Sequence, residues 1–224
     1  MAIRAVIFDI DGTLVNVEER FYRYFNETLD HFGIEPLDRD SYEEKRQLGT
    51  LSDPVPDVGE MRAKFWLDFI DRFSHCDCDE IGRLFPGVVE ALNELKTGGY
   101  KIGIVTGRTC SPDHVIVELR TLGINDYFDC VFTNDDGVKG MNKARKLIAC
   151  AHRLGFSPHE CAYVGDWEGD IKSAKEAEVG LIVAVLTGGE GREALERSGP
   201  HAILDSVADI PEYLKKRRKL IRKD

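Results

Sequence analysis

The chain has 224 residues, with 30 Lys+Arg against 40 Asp+Glu and a formal net charge of −10. A hydrophobic share of 42% beside 31% charged residues excludes a disordered chain, which could not bury a core, and a chain built of membrane spans. The acidic balance argues against a general nucleic-acid binder, because phosphate contacts need a basic face, and the one dense basic run, 214–224, reads as a solvated helix end.

In chain order, Ala5-Val6-Ile7-Phe8 is a continuous apolar run that ends abruptly in Asp9-Ile10-Asp11-Gly12-Thr13, the pattern of a buried strand emptying into a polar turn. From about residue 16 to 85 the rhythm is helical: Phe21, Phe25, Leu29 and Phe32 recur at helical spacing, as do Met61, Phe65, Phe69 and Phe73, and Pro36, Pro54 and Pro56 punctuate the stretch. From Pro86 onward helices alternate with short apolar strands. Helices are expected at 86–98, 112–122, 142–154, 168–178 and 190–198 with a last one from about Ser206, and strands at 100–105, 128–133, 161–164, 181–185 and 202–204. Gly99, Gly123, Gly155 and Gly180 follow four of these helices, where a left-handed C-cap is wanted. Alternation of this kind predicts an α/β fold, a Rossmann-like parallel sheet with helices on both faces, interrupted by a small all-helical segment.

The N-terminal apolar stretch is too short for a signal peptide and nothing approaches the roughly 18 apolar residues of a membrane helix, so a cytoplasmic address is expected. Six scattered cysteines form no CxxC pair and read as reduced thiols. The cluster His75-Cys76-Asp77-Cys78-Asp79 lacks the spacing of a structural zinc site.

Ligands of open parallel sheets bind beyond the carboxyl ends of the strands. Three polar motifs fall there: Asp9 and Asp11, Thr106-Gly107-Arg108, and Gly165-Asp166. Two carboxylates two residues apart after a buried strand can divide labour, one attacking phosphorus and the other moving the proton, with a hard cation ligated by oxygen to keep one ionised. Helix capping by Asp11 or Thr13 would account for one acid but not for both. Thr106 or Asp166 taken singly would read as a turn residue.

Asp9-Ile10-Asp11-Gly12-Thr13 resembles the first motif of the haloacid dehalogenase superfamily of phosphohydrolases. Thr106 resembles the second motif, and 164–170, with Asp166 and Asp170, the fourth; together the motifs extend the resemblance over nearly the whole chain. The resemblance implies a phosphatase or phosphotransferase rather than a dehalogenase, since Asp11 is present. It implies Asp9 as nucleophile and Asp11 as general acid and base, with Thr106, Gly107 and a third-motif lysine holding the phosphoryl group. Mg2+ would be held by Asp9, the Asp11 carbonyl and Asp166, with Asp170 a direct or water-mediated ligand. For the lysine, Lys143 at a helix start capped by Asn142 is favoured over Lys139, which stands before Gly140 where other branches have proline. Where the superfamily often has Asn after the second-motif Thr, this chain has Gly107-Arg108, and Arg108 would meet a substrate anion or the cap.

By the same resemblance, 16–85 is the helical cap and 1–15 with 86–224 the core. Phe65, Phe69 and Phe73 read as the cap's own core, whereas Arg20, Arg23, Lys45 and Arg46 could meet an anionic substrate or be solvated. The expected activity is magnesium-dependent hydrolysis of small phosphorylated metabolites, phosphoglycolate-like or sugar phosphates, by a monomer or homodimer without nucleic-acid or membrane partners. The alternatives are a phosphomutase of the β-phosphoglucomutase type and a non-catalytic binding protein of the same fold.

Overall fold

The computed structural model describes residues 2–75, 82–135 and 142–221. The elements run β1 (Ala5–Phe8), β2 (Val15–Asn16), α1 (Glu18–His31), α2 (Arg39–Leu48), α3 (Met61–Ser74), β3 (Arg83–Leu84), α4 (Val88–Thr97) and β4 (Lys101–Val105). They continue with α5 (Pro112–Thr121), β5 (Cys130–Phe132), α6 (Lys143–Arg153), β6 (Cys161–Gly165), α7 (Glu168–Glu176), β7 (Leu181–Val185), α8 (Arg192–Ser198), β8 (Ala202–Leu204) and α9 (Ile210–Ile221). Six strands form one parallel sheet in the order β5-β4-β1-β6-β7-β8.

The strand side chains alternate between two buried clusters, as a period of two requires. Val6 and Phe8 of β1 join Ile102, Ile104, Val164 and Val183 on the face covered by Leu92, Leu119 and Leu214 of α4, α5 and α9. Ala5 and Ile7 join Val105, Tyr163 and Ile182 on the opposite face, under Leu147, Ile171 and Leu195 of α6, α7 and α8. Because both faces are covered, β1, β6 and β7 are apolar throughout and wholly buried. The fold is therefore the α/β sandwich expected, and among the described residues no helix is long and apolar enough to cross a membrane.

Several expectations need adjustment. The strand expected at 128–133 spans only Cys130–Phe132, because a 3-10 turn at Asn125–Tyr127 delivers the chain to it. The last helix begins at Ile210, after another such turn at Val207–Asp209. Gly99, Gly123 and Gly155 do take left-handed conformations, but Gly180 does not; Glu178, at φ 54°, turns the chain there. Gly180 is needed for another reason: a Cβ on it would sit 1.9 Å from the carbonyl oxygen of His159. Cys110, Cys130, Cys150 and Cys161 are free thiols, whereas Cys76, Cys78 and Lys139 lie outside the described residues.

Between β2 and β3 the chain builds α1, α2 and α3. The β2–β3 pair is antiparallel, Val15 opposite Leu84 and Asn16 opposite Arg83, so both ends of the insert leave the core side by side. Strands of two residues are too short to show alternation, which is why the pattern does not reveal them. The aromatic positions of α1 and α3 interlock: the Phe21 and Phe69 ring centroids lie 4.7 Å apart and Phe25 meets Phe65 edge-on at 5.5 Å. Their helical spacing thus marks an internal core. The middle helix, α2, is nearly all polar and buries only Tyr42 and Arg46; its start is fixed by Asp38, whose carboxylate accepts the Ser41 amide at 2.8 Å.

Phe25 is wholly buried at the centre of this aromatic cluster. Phe25→Ala is expected to cost about 3–5 kcal/mol in urea unfolding; a loss below about 1 kcal/mol would show that the cluster is not what joins α1 to α3.

Candidate active site

The site is built at the carboxyl ends of the central strands, where the chain leaves β1 for one side of the sheet and returns through β6 on the other. Asp9 follows β1 directly, its amide donating to the Val164 carbonyl at 2.9 Å. The next turn closes on one oxygen: the amides of Thr13, Leu14 and Val15 all donate to the Ile10 carbonyl. Gly12 stands at φ 78°, and a Cβ there would meet the Asp166 carboxylate at 2.2 Å, so a side chain is excluded on both counts. Thr106 follows β4 and is buried, with its amide donating to the Phe132 carbonyl at 3.0 Å. Lys143 opens α6, where the Asn142 side chain accepts the Arg145 amide at 3.0 Å as the cap.

Three buried carboxylates converge here. Asp9, Asp166 and Asp170 each present an oxygen within 4.8 Å of the others. Lys143 Nζ donates to Asp9 Oδ1 at 2.7 Å and to Asp170 Oδ1 at 2.5 Å, and Thr13 Oγ1 donates to Asp166 Oδ1 at 2.7 Å. Burial pushes Asp9 up to about 7, with Lys143 opposing and the charges of Asp170 and Asp11 adding. Burial also holds Asp166 well above the carboxylate range, reinforced by Asp170 and Asp9. Burial would lower Lys143, but the charges of Asp170 and Asp9 outweigh it and keep the ammonium firmly protonated. One ammonium cannot balance three carboxylates. An all-oxygen donor set with surplus negative charge suits a hard divalent cation such as Mg2+.

Asp11 belongs to a different network. Arg108 grips its carboxylate with two bonds, Nε to Oδ2 at 2.8 Å and Nη2 to Oδ1 at 2.6 Å, and Arg20 Nη2 adds a third at 2.8 Å. Glu118 accepts from both arginines on the far side, and the Phe73 ring lies 4.2 Å from the Arg20 guanidinium carbon. Burial alone would raise Asp11, yet Arg108 and Arg20 overcome it and leave its pKa below the usual carboxylate value. Its carboxylate is not among the three that gather within 4.8 Å of one another. Arg108, expected to meet substrate or cap, lines the cavity while its fork is engaged by Asp11 and Glu118.

These groups surround a cavity of about 410 Å³, which Thr106, Gly107, Asp170 and Trp167 also line. Over it lie Val17, Phe21, Phe69, Ile70 and Phe73 with Arg46 of α2. The pattern reading missed Glu118, which looks like any helical acid, and the loop after β7. There Thr187 Oγ1 donates to the Gly12 carbonyl at 2.7 Å, a Cβ on Gly188 would meet Asp166 at 1.8 Å, and Glu190 accepts the first amide of α7 at 2.6 Å. The strand-end rule applied to β7 would have pointed to Thr187-Gly188-Gly189-Glu190.

Residues 6–184 match the family described as haloacid dehalogenase-like hydrolase. Over 211 residues, 94% of this chain and 96% of the relative, the sequence is 31% identical to "Pyrophosphatase PpaX" of Bacillus mycoides. A predicted phosphoglycolate phosphatase from Haemophilus somnus superposes with a TM-score of 0.71 at 23% identity, covering 94% of this chain and 97% of that one. A predicted phosphatase from Clostridium acetobutylicum gives 0.77 at 19% identity, covering 96% and 100%. At these identities the superpositions speak for the fold.

The buried acids make stability depend on pH in a definite direction. Because Asp9 is raised from 3.8 to about 7, its contribution is full below pH 4 and is lost as pH rises through 7. In metal-free protein, Asp9→Asn is expected to raise the melting temperature at pH 8 but not at pH 4, and Mg2+ to stabilise the unmutated chain more at pH 8 than at pH 5. Equal shifts at both pH values in thermal denaturation would refute the assignment of the burial cost to Asp9.

Proposed function

Because the chain belongs to the haloacid dehalogenase-like hydrolases, we propose that it is a magnesium-dependent phosphatase of small phosphomonoesters, phosphoglycolate-like or sugar phosphates, acting through an aspartyl-phosphate on Asp9. In this reading 1–15 with 86–224 is the core and 16–85 is the cap that closes over it and keeps water out. The observation that carries it is the opposite electrostatic setting of two acids two residues apart: Asp9 against Lys143 in the acid cluster, Asp11 in the grip of Arg108 and Arg20.

Asp9 attacks phosphorus in line, its oxygen forming the new P–O bond as the bond to the leaving oxygen breaks. Asp11, ionised in the free protein by Arg108 and Arg20, takes up a proton from solvent as the anionic substrate binds beside it, delivers that proton to the leaving oxygen, and, ionised again, takes one from the water that attacks the aspartyl-phosphate. Thr106, the Gly107 backbone and Lys143 neutralise charge on the equatorial oxygens. Asp9, Asp166, Asp170 and the Asp11 carbonyl would hold Mg2+, which when bound supplies positive charge to a phosphoryl oxygen. Free thiols suit a reducing, cytoplasmic setting, and in this reading the protein acts there as a monomer or homodimer.

Phosphate release from a panel of phosphomonoesters and pyrophosphate, with and without Mg2+, tests the reading. Asp9→Asn is expected to lower release about 10³-fold or more, and Lys143→Ala about 10²-fold, more than Lys139→Ala does. Undiminished release by Asp9→Asn would remove Asp9 from the nucleophile's role. Phosphoryl transfer to a second sugar phosphate in place of release would establish the mutase alternative.

A further inference from the structure

Four of the six cysteines lie among the described residues, and two of them meet: Cys130 Sγ and Cys150 Sγ share a hydrogen bond at 3.5 Å. Cys130 stands on β5, the edge strand of the sheet, and Cys150 on α6. The neighbouring strand leaves room for the contact. Gly103 of β4 pairs with Cys130 in register, and a Cβ on it would come 2.5 Å from Cys150 Sγ and 3.2 Å from Cys130 Sγ. Glycine weakens a strand interior unless other atoms need to approach the backbone closely, and here those atoms are the two sulfurs.

The two thiols are unequal. Cys150 is wholly buried, whereas Cys130 is partly exposed. Their shared hydrogen bond lowers the Cys130 thiol from its ordinary value against burial and the charge of Asp129, with Arg153 assisting. The same bond joins burial in holding Cys150 well above that value. Burial pushes Cys110 up to about 11 and Cys161 up to about 12, and Cys161 Sγ donates to the Ser157 carbonyl at 3.4 Å. Among the described thiols Cys130 therefore combines access with the most thiolate character, and a second thiol already touches it, the arrangement that a peroxide oxidises reversibly.

We propose that Cys130 and Cys150 form an oxidation site that hydrogen peroxide closes to a disulfide, and that closure displaces α6 and with it Lys143 from the acid cluster. The Cys130 thiolate attacks the peroxide: an S–O bond forms, the O–O bond breaks, and the departing hydroxide takes up a proton to leave as water. Cys150 Sγ then attacks Cys130 Sγ. The S–S bond forms, the S–O bond breaks, and the second hydroxide leaves as water with the Cys150 proton, so two electrons pass from the thiols to the peroxide. Closure shortens the 3.5 Å separation to roughly 2 Å, and a close-packed interior answers such a change by moving its elements. Cys150 lies about two turns along α6 from Lys143, whose ammonium joins Asp9 and Asp170. In a reducing compartment a disulfide of this kind is transient, which suits a sensor rather than a permanent staple.

The experiment exposes the reduced protein to hydrogen peroxide, alkylates the remaining thiols, digests without reductant and weighs the peptides by mass spectrometry. Phosphate release in Mg2+ and deuterium exchange over the first turn of α6, where the Asn142 cap holds the Arg145 and Lys146 amides, are followed on the same samples. A linked Cys130–Cys150 peptide is expected, with faster exchange at that turn and release about 10- to 100-fold lower, all three reversed by dithiothreitol. Cys130→Ser and Cys150→Ala should each lose the linked peptide and keep their release under peroxide, whereas Cys161→Ala should still close. Absence of the linked peptide, or pairing of either cysteine with a different one, would overturn the site. A linked peptide with unchanged exchange and full release, or release lost equally in Cys150→Ala, would overturn the coupling to Lys143. The pair does not rest on the phosphatase reading: a linked peptide and faster exchange in a protein that releases phosphate from nothing would sustain the proposal and fell that reading instead.

Discussion

Three buried carboxylates gathered within 4.8 Å of one another, two of them bonded to a single ammonium, are the constraint around which this molecule is arranged. Like charges in a poorly solvated place repel, and each ionised carboxylate loses most of its hydration there. The surrounding sequence answers that cost locally. Lys143 brings its charge in from the first turn of α6, Thr13 donates to Asp166, and the bare backbones of Gly12 and Gly188 let that carboxylate approach from two sides. The cluster trades stability for chemistry, because the acids that resist ionisation in the free protein are those a divalent cation would bind.

The second acid of the turn is treated in the opposite way. Asp11 shares two arginines with Glu118, two cations and two anions that balance almost without solvent. Breaking such a set is more costly than forming it is profitable, since any member removed leaves an uncompensated buried charge. One of the four, Arg20, comes from α1, while Asp11, Arg108 and Glu118 come from the sheet and its helices. The network therefore joins the inserted helices to the reacting end of the sheet, and the position of α1 is coupled to the electrostatic state of Asp11.

The inserted helices meet the cavity with an apolar surface and one arginine, Arg46, while Arg20 reaches Asp11 and Glu118 beside it. Their rings pack mainly on each other, so their arrangement is set by the internal aromatic core, and the charged contacts only orient it. With β2 and β3 paired where the chain enters and leaves, the insert is joined to the sheet by a narrow double connection.

Much of this was legible in the residue order. Continuous apolar runs marked the buried strands, helical spacing of Phe, Leu and Met marked α1 and α3, Asn142 marked the start of α6, and the polar turns after β1, β4 and β6 marked residues that line one cavity, because each of these signals is local and repeats with the geometry of one element. Partner choice is not local. Arg108 and Asp11 are 97 residues apart, Arg20 and Glu118 98, Thr13 and Asp166 153, and no spacing rule links them until the sheet order sets β1 between β4 and β6. The same holds for Gly180, whose value lies in the carbonyl of His159 passing beside it, and for Arg46, one more charge on a polar helix until the fold buries it against Gly189. Residue order sets which chemistry the strand ends can carry, whereas the choice of which charges face one another waits on the fold, since burial and long-range approach exist only once the chain is folded.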